Sequence, residues 1–166
     1  MVIYGTVCLI MNEKRVLLIK KSAELFGGGK WNGLGGKMHP DESPEQACVR
    51  EVFEESGLRV SNLKNHGLLK FWFGDKSEPD WIVYVFSTNS FEGQLREGSE
   101  GILRWIEFSE IPYQEMWEDD RHWLPSLLEG KTFYGEFRFD EEGTKLLGKK
   151  FKEIKVRENR RNQLYL

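Results

Sequence analysis

The sequence predicts one mixed domain of the α/β (α+β) class, and three observations carry that expectation. The chain has 166 residues, room for one core and not two. It is 39% hydrophobic and 13% aromatic, with 6 Trp, 11 Phe and 5 Tyr, enough apolar surface to fold. Short β-branched and aromatic runs recur along it, interrupted by two stretches with helix punctuation.

Taken in order, Val2–Met11 and Val16–Lys20 read as a hairpin across Asn12-Glu13-Lys14. Six glycines then fall within the ten residues Gly27–Gly36, marking a loop whose backbone must approach something closely. Ser43-Pro44-Glu45-Gln46 opens a helix with an N-cap, a proline at the first helical position and a capping box; Gly57 stops it. Leu68–Phe73, Trp81–Ser87 and Ile102–Phe108 read as strands. A second helix is expected over Trp117–Leu128, running into Gly130 with Pro125 as an awkward guest. Thr132–Phe139 alternates and should pair with Lys145–Val156 across Glu141-Glu142-Gly143. No internal repeat or low-complexity linker interrupts this, so residues 1–156 are expected to be the single domain and 157–166 a basic C-terminal extension. The last eighteen residues hold seven Lys or Arg against two Glu, the composition of a solvated tail or edge strand.

Charge and cysteine content exclude several classes. Lys and Arg total 24 against 27 Asp and Glu, a net charge of −3, so a general polyanion binder is not expected. An anionic substrate would need local attraction or a bound cation. No apolar run approaches the roughly 18 residues of a membrane span, and no basic region precedes the short apolar N-terminal run. Cys8 and Cys48 lack C-x-x-C spacing and read as free thiols in a reducing compartment. A cytoplasmic monomer without membrane or nucleic-acid partners is the expectation.

The helix opened by Ser43 carries the chemistry. At about 100° per residue, Cys48, Val49, Val52 and Phe53 share the expected core face, while Glu51, Glu54 and Glu55 gather opposite, with Ala47 and Arg50 beside them. Three carboxylates so placed repel one another, and taken alone they read as a solvated acidic face. Following a glycine-dense loop, and with Arg50 placed to pair with Glu54, they also suit Mg²⁺ or Mn²⁺, hard cations that bind oxygen and bridge to phosphate.

Gly36, Glu42, Arg50, Glu51, Val52, Glu54, Glu55, Gly57 and Leu58 fill every fixed position of the Nudix box, G-x5-E-x7-R-E-U-x-E-E-x-G-U with U aliphatic, so the chain resembles the Nudix hydrolases. That resemblance implies a mixed sheet sandwiched between helices and hydrolysis of a nucleoside diphosphate linked to another moiety. It implies Glu51, Glu54 and Glu55 as metal ligands, with the Gly36 carbonyl as a further one. It also implies Arg50 as the residue orienting them and Glu42 as a brace of the loop. Glu100, in the loop before Ile102–Phe108, stands where relatives carry a catalytic or metal-binding Glu outside the box, with Glu97 as competitor. His39, His66 and His122 are bases by chemistry, but nothing in their spacing ties them to the acidic helix.

Lys30–Lys37, Met116–Asp120 and Trp123-Leu124-Pro125 are similar to the MutT branch, specifically the animal-type oxidised-purine nucleoside triphosphatases that remove 8-oxo-dGTP. The similarity runs from about Thr6 to Val156. It implies that Asn32, Asp119 and Asp120 hydrogen-bond the base edge, that Trp117 stacks on the base, and that Thr6, Phe26, Phe71 and Phe73 line the pocket. Bland alternatives stay open: an Asp-Asp turn, a loop-capping Asn32 and ordinary aromatic packing. Two adjacent Asp in an apolar pocket should share one proton, letting the site both donate and accept. Other Nudix substrates (normal dNTPs, dinucleoside polyphosphates, RNA 5′ ends) and a non-catalytic nucleotide sensor are the competing readings. Glu118, Trp81 and the extension 157–166 depart from the branch's pattern, and Trp81 would narrow the pocket.

Overall fold

The hairpin forms, yet its strands stay together only near the turn. β1 (Ile3–Asn12) and β2 (Arg15–Lys21) pair from Ile10 opposite Leu17 to Asn12 opposite Arg15, with Glu13 at φ 58° in the turn. Below that point they part. β3 (Trp31–Asn32) takes the edge of β2, and β4 (Leu34–Lys37) takes the edge of β1 from Cys8 opposite Leu34 to Gly5 opposite Lys37. The glycine-dense stretch is therefore half strand. A Cβ on Gly35 would lie 1.9 Å from the Thr6 carbonyl oxygen, so only glycine lets β4 come this close. The structure, a computed structural model, describes residues 1–155 and the backbone of Arg157–Glu158 and Leu164–Tyr165, which pair antiparallel. The rest of the expected extension 157–166, with Val156, lies outside the described residues.

Helix α1 (Pro44–Ser56) has the expected ends: Ser43 and Gln46 form a reciprocal capping box, and Gly57 closes it at φ 80°. After it come β5 (Arg59–Ser61), β6 (Lys64–Phe73), β7 (Trp81–Thr88), β8 (Ser90–Glu92) and β9 (Gly101–Glu107). Helix α2 (Asp120–Leu128) precedes β10 (Thr132–Phe139) and β11 (Leu146–Ile154). The main sheet runs β11-β10-β6-β7-β1-β2-β3, with β4 on β1 and β9 on β2; β5 and β8 pair apart from it. β1–β7 and β6–β10 are parallel, and the sheet is mixed as expected.

Strand alternation divides the apolar residues between two layers. Cys8, Ile10, Leu17, Ile19 and Phe86 pack with Cys48 and Val52 of α1. Leu9, Val16, Leu18, Val85, Phe133 and Phe137 pack with Trp123, Leu124 and Leu127 of α2. The sheet thus lies between two helices.

Two expectations need correction. The buried face of α1 is Ala47, Cys48, Val52, Glu55 and Ser56, whereas Val49 and Phe53 are half-buried. Phe53 instead lies under the guanidiniums of Arg59 and Arg96, 4.5 and 5.5 Å from its ring centre. The second helix starts at Asp120, not Trp117, because Trp117 and Asp119 belong to the preceding turn, where the Trp117 carbonyl accepts from the Asp120 amide at 3.0 Å.

Replacing Ser43 by Ala removes one cap and is expected to cost about 1 kcal/mol, lowering Tm by about 3 °C. Gly35→Ala is expected to cost several times more, since β4 must leave β1. Thermal and urea melts compare them; equal losses would contradict the close approach of the two strands.

Candidate active site

The second half of α1 points its carboxylates at the parting between β1 and β2, where two cations divide them. Arg50 donates from Nη1 to Glu51 at 2.9 Å and to Glu54 at 3.2 Å, and from Nη2 to Glu42 and the Lys37 carbonyl at 2.9 and 3.0 Å. Glu42, held down to about 2 by this guanidinium, also accepts from the His39 amide, so it braces the loop into α1. Glu55 is buried and salt-bridged to Lys21 of β2 at 2.7 Å, and it accepts from the Gly35 amide of β4 at 2.6 Å. Burial raises it to about 7 against the opposing pull of Lys21. Burial also raises Glu51, which Arg50 partly offsets. Glu54 stays half-exposed. The three glutamates therefore do not form the single exposed face that helical spacing suggested; Glu55 faces inward because its partners are there.

One cavity of about 530 Å³ is lined by Gly36, Glu51, Lys21 and Glu100 and also by Thr6, Phe26, Asn32, Phe71, Phe73, Trp117, Asp119 and Asp120. Phe26, exposed on the β2–β3 loop, sits 5.4 Å from Trp117, 5.9 Å from Phe73 and 6.4 Å from the nearly parallel ring of Trp81. Asp119 and Asp120 are both buried, and Asp119 accepts from Trp123 Nε1 at 2.8 Å. Burial pushes both carboxyls up, and the charge of Asp119 pushes Asp120 further. Two neighbouring buried carboxyls raised in this way favour the retention of one proton between them.

Every residue expected at the base end lines this cavity. Asn32 does so while donating to the Lys30 carbonyl at 3.1 Å, so the loop-capping contact is present too. Thr6 Oγ1 is the one buried side-chain polar atom without a hydrogen-bond partner among the described residues. Trp81 is part of the wall, its indole lying on Gly5, where a Cβ would stand 3.1 Å from the ring. Glu118 does not line the cavity; its charge acts on His122. Glu97 is occupied by the Leu103 amide and Arg104, whereas Glu100 lies 3.8 Å from Lys21. His39 pairs with Glu42. His66 is buried between the Lys131 carbonyl and Ser87, and His122 lies against Phe137. Cys8 and Cys48 are free and buried in the α1 layer. Sequence reasoning missed Lys21, because a lysine ending a strand carries no sign of the helix it will meet.

The acidic end suits a hard cation in its donor chemistry. Its groups are oxygen-only: Glu51, Glu54, Glu55, Glu100 and the Gly36 carbonyl. A Cβ on Gly36 would sit 2.7 Å from the Glu51 carboxylate, so glycine leaves open the space against which that carboxylate rests. Among the described residues no three such side chains are drawn together as a ready cage: Arg50 Nη1 bridges Glu51 and Glu54, while Lys21 draws Glu55 to the other side.

The chain is similar to known proteins over most of its length. The NUDIX domain family matches residues 2–127. An oxidized purine nucleoside triphosphate hydrolase of Danio rerio is 42% identical over 134 residues, 81% of this chain and 85% of that protein. The Mus musculus protein of the same name is 38% identical over 140 residues, covering 84% and 88%. A MutT crystal structure from Bacillus halodurans superposes with a TM-score of 0.81 at 26% identity, covering 90% of this chain and 97% of that one. No helix among the described residues is long and apolar enough to cross a membrane.

The buried aspartates make stability depend on pH. Both bind a proton more tightly folded than unfolded, so their contribution is complete below the unfolded Asp value of about 3.9 and is lost as pH rises through the folded values. Asp120→Asn removes the charge that must otherwise be buried. Its Tm is expected to exceed wild type by about 3 °C at pH 8, with the gain shrinking towards pH 5. A pH-independent difference would show that the pair does not hold the proton.

Proposed function

The chain belongs to the Nudix family, and from that premise we propose that it is a metal-dependent nucleoside triphosphate diphosphatase that removes oxidised purine nucleotides such as 8-oxo-dGTP from the nucleotide pool. The observation that carries this reading is one cavity lined at one end by the buried Asp119 and Asp120 beside Trp117 and at the other by Gly36, Glu51 of α1 and Glu100. The names of the two vertebrate relatives, similar over most of their length, support it.

Each group has a role that its surroundings favour. Trp117 offers a face for the purine, a contact of about 1–3 kcal/mol per stacked base. Asp119, Asp120 and Asn32 read the base edge; the shared proton lets the pair donate to a keto oxygen or accept from an imino group. Thr6, Phe26, Phe71 and Phe73 enclose the base and exclude water. At the other end, Glu51, Glu54, Glu55, Glu100 and the Gly36 carbonyl would hold Mg²⁺, with Mn²⁺ as substitute. A cation there polarises phosphorus and neutralises the charge that builds up on the phosphates. Arg50 keeps Glu51 and Glu54 in place, and Glu100 takes the proton of the attacking water. Water adds at the β-phosphorus, the bond to the α–β bridging oxygen breaks, and nucleoside monophosphate and pyrophosphate leave. No protein nucleophile is required. In this reading the enzyme acts as a monomer in the cytoplasm, a reducing compartment that suits its two free thiols.

Product analysis with Mg²⁺ on 8-oxo-dGTP, 2-hydroxy-dATP, dGTP, dATP, ADP-ribose and a 5′-triphosphate RNA tests the reading. Monophosphate and pyrophosphate are expected from the damaged purines at much higher kcat/KM than from dGTP. Equal rates on ordinary dNTPs, or a preference for RNA or ADP-ribose, would discard the base pocket and leave the acidic end. Glu54→Gln and Glu55→Gln are each expected to cut kcat at least about 100-fold, the scale of losing electrostatic stabilisation at a developing charge. Asp119→Asn should instead change the ratio of kcat/KM between 8-oxo-dGTP and 2-hydroxy-dATP more than it lowers their sum. Proportional loss on every nucleotide would remove Asp119 from base reading.

A further inference from the structure

The Trp117 ring nitrogen makes no hydrogen bond among the described residues, so the indole is held by ring packing and by Lys30, whose Nζ lies 5.4 Å from the ring centre. Phe26, Phe73 and Phe139 surround it at centroid distances of 5.4, 5.9 and 5.6 Å. Two loops close on it through glycines in the left-handed region. On the β2–β3 loop, Gly27 has φ +76°, and a Cβ there would lie 3.0 Å from Trp117 Nε1. On the β10–β11 turn, Gly143 has φ +74°, and a Cβ would lie 2.9 Å from Trp117 Cζ3, 3.2 Å from Cη2 and 3.2 Å from Phe73 Cε1. The bare backbone of this turn therefore touches two of the rings that enclose the cavity.

The turn is also stiff. Asp140 accepts from the Thr144 and Lys145 amides at 2.7 and 3.2 Å and from the Thr144 hydroxyl. Its own amide donates to the Lys145 carbonyl at 3.0 Å, and its carbonyl accepts from Gly143 at 3.1 Å. Hydrogen bonds running both ways leave little room for the turn to retreat, whereas the half-buried indole has none to lose. A side chain added at position 143 displaces the ring, not the turn.

We propose that the β10–β11 turn is part of the base-reading apparatus, with Gly143 as a positioning residue that sets where the Trp117 indole stands. This rests on the reading of Trp117 as the purine platform. It extends the pocket's determinants to a segment outside the matched family region, residues 2–127.

Gly143→Ala tests this in the full-length protein, alone and with Trp117→Phe, which deletes the Cζ3 and Cη2 atoms that the new methyl would strike. Gly130 supplies the control: it has φ +78°, but a Cβ there meets only Lys64 Nζ at 3.5 Å, so Gly130→Ala carries the backbone strain without the ring contact. With Mg²⁺ and 8-oxo-dGTP, Gly143→Ala is expected to raise KM about fivefold, part of a stacking contact, while kcat stays within about twofold. In the Trp117→Phe background the same change should raise KM less than about twofold, and Gly130→Ala should leave KM at the wild-type value. If Gly143→Ala fails to fold, Gly143→Asn, whose residue tolerates the left-handed region, is expected to give the same KM rise. An unchanged KM, or an equal KM penalty in both backgrounds, overturns the proposal. If Trp117→Ala leaves KM for every purine nucleotide unchanged, the platform reading itself fails and the proposal falls with it.

Discussion

Burying a carboxylate at a helix–sheet junction costs several kcal/mol unless partners meet it there, and breaking such a pair leaves an uncompensated charge. Glu55 is in that position. Its two partners come from the strands that separate at the hairpin: Lys21 ends β2 and Gly35 lies in β4 on β1. One side chain of α1 thus spans the parting of the sheet and locks the helix against both halves. Glu51, one turn earlier on the same helix, is thereby turned towards Gly36 and the cavity. Lys21 also reaches to 3.8 Å from Glu100, so the same cation draws in the loop before β9. The acidic end of the cavity is a consequence of how that one carboxylate is satisfied.

The two ends of the cavity answer like-charge repulsion in different ways. At the acidic end, permanent cations do it: Arg50 reaches Glu42, Glu51 and Glu54, and Lys21 holds Glu55. At the other end, Asp119 and Asp120 have no salt-bridge partner among the described residues, and burial pushes both carboxyls towards the protonated form instead. Each solution suits what it faces. Fixed cations oppose the burial that raises Glu51 and Glu55 and so favour their ionised, oxygen-donor form, whereas a proton between two carboxyls would offer a base edge both a donor and an acceptor.

What could be read in the sequence follows from how local each cause is. The ends of α1 were legible because a capping box and a left-handed glycine act within four residues. Gly36 was legible as a close approach, since glycine density has few other reasons. The inward turn of Glu55 was not, because periodicity treats every Glu as polar and Lys21 lies 34 positions away in sequence. The same holds for the early parting of the hairpin: the parallel pairing of β1 with β7, from Ile3 opposite Trp81 to Ile10 opposite Thr88, is a long-range choice that leaves one edge of β1 to be shared. The base-end residues were named through family resemblance, and their meeting in one cavity depends on loops whose paths local pattern does not specify. The start of α2 was misplaced because Trp117 looks like a helical apolar residue until its aromatic neighbours are known.

Charge balance explains why the two ends need one another. Among the charged side chains lining the cavity, the acids Glu51, Glu100, Asp119 and Asp120 outnumber the lysines, Lys21 and Lys37, and the whole chain is acidic. Fully ionised, such a cavity would repel a polyphosphate at every distance short of contact. In the proposed function, a proton on the aspartate pair would remove one of those charges at the base end without placing a cation beside the purine. A divalent cation at the other end, in the proposed function, would reverse the sign where the phosphates lie. Lys37, on the wall beside Gly36, and Lys30, 5.4 Å from the Trp117 ring, then add local attraction along the route between them. In the proposed function, selectivity for an anionic purine nucleotide on an acidic protein is a matter of where charge is cancelled, by proton at one end and by metal at the other.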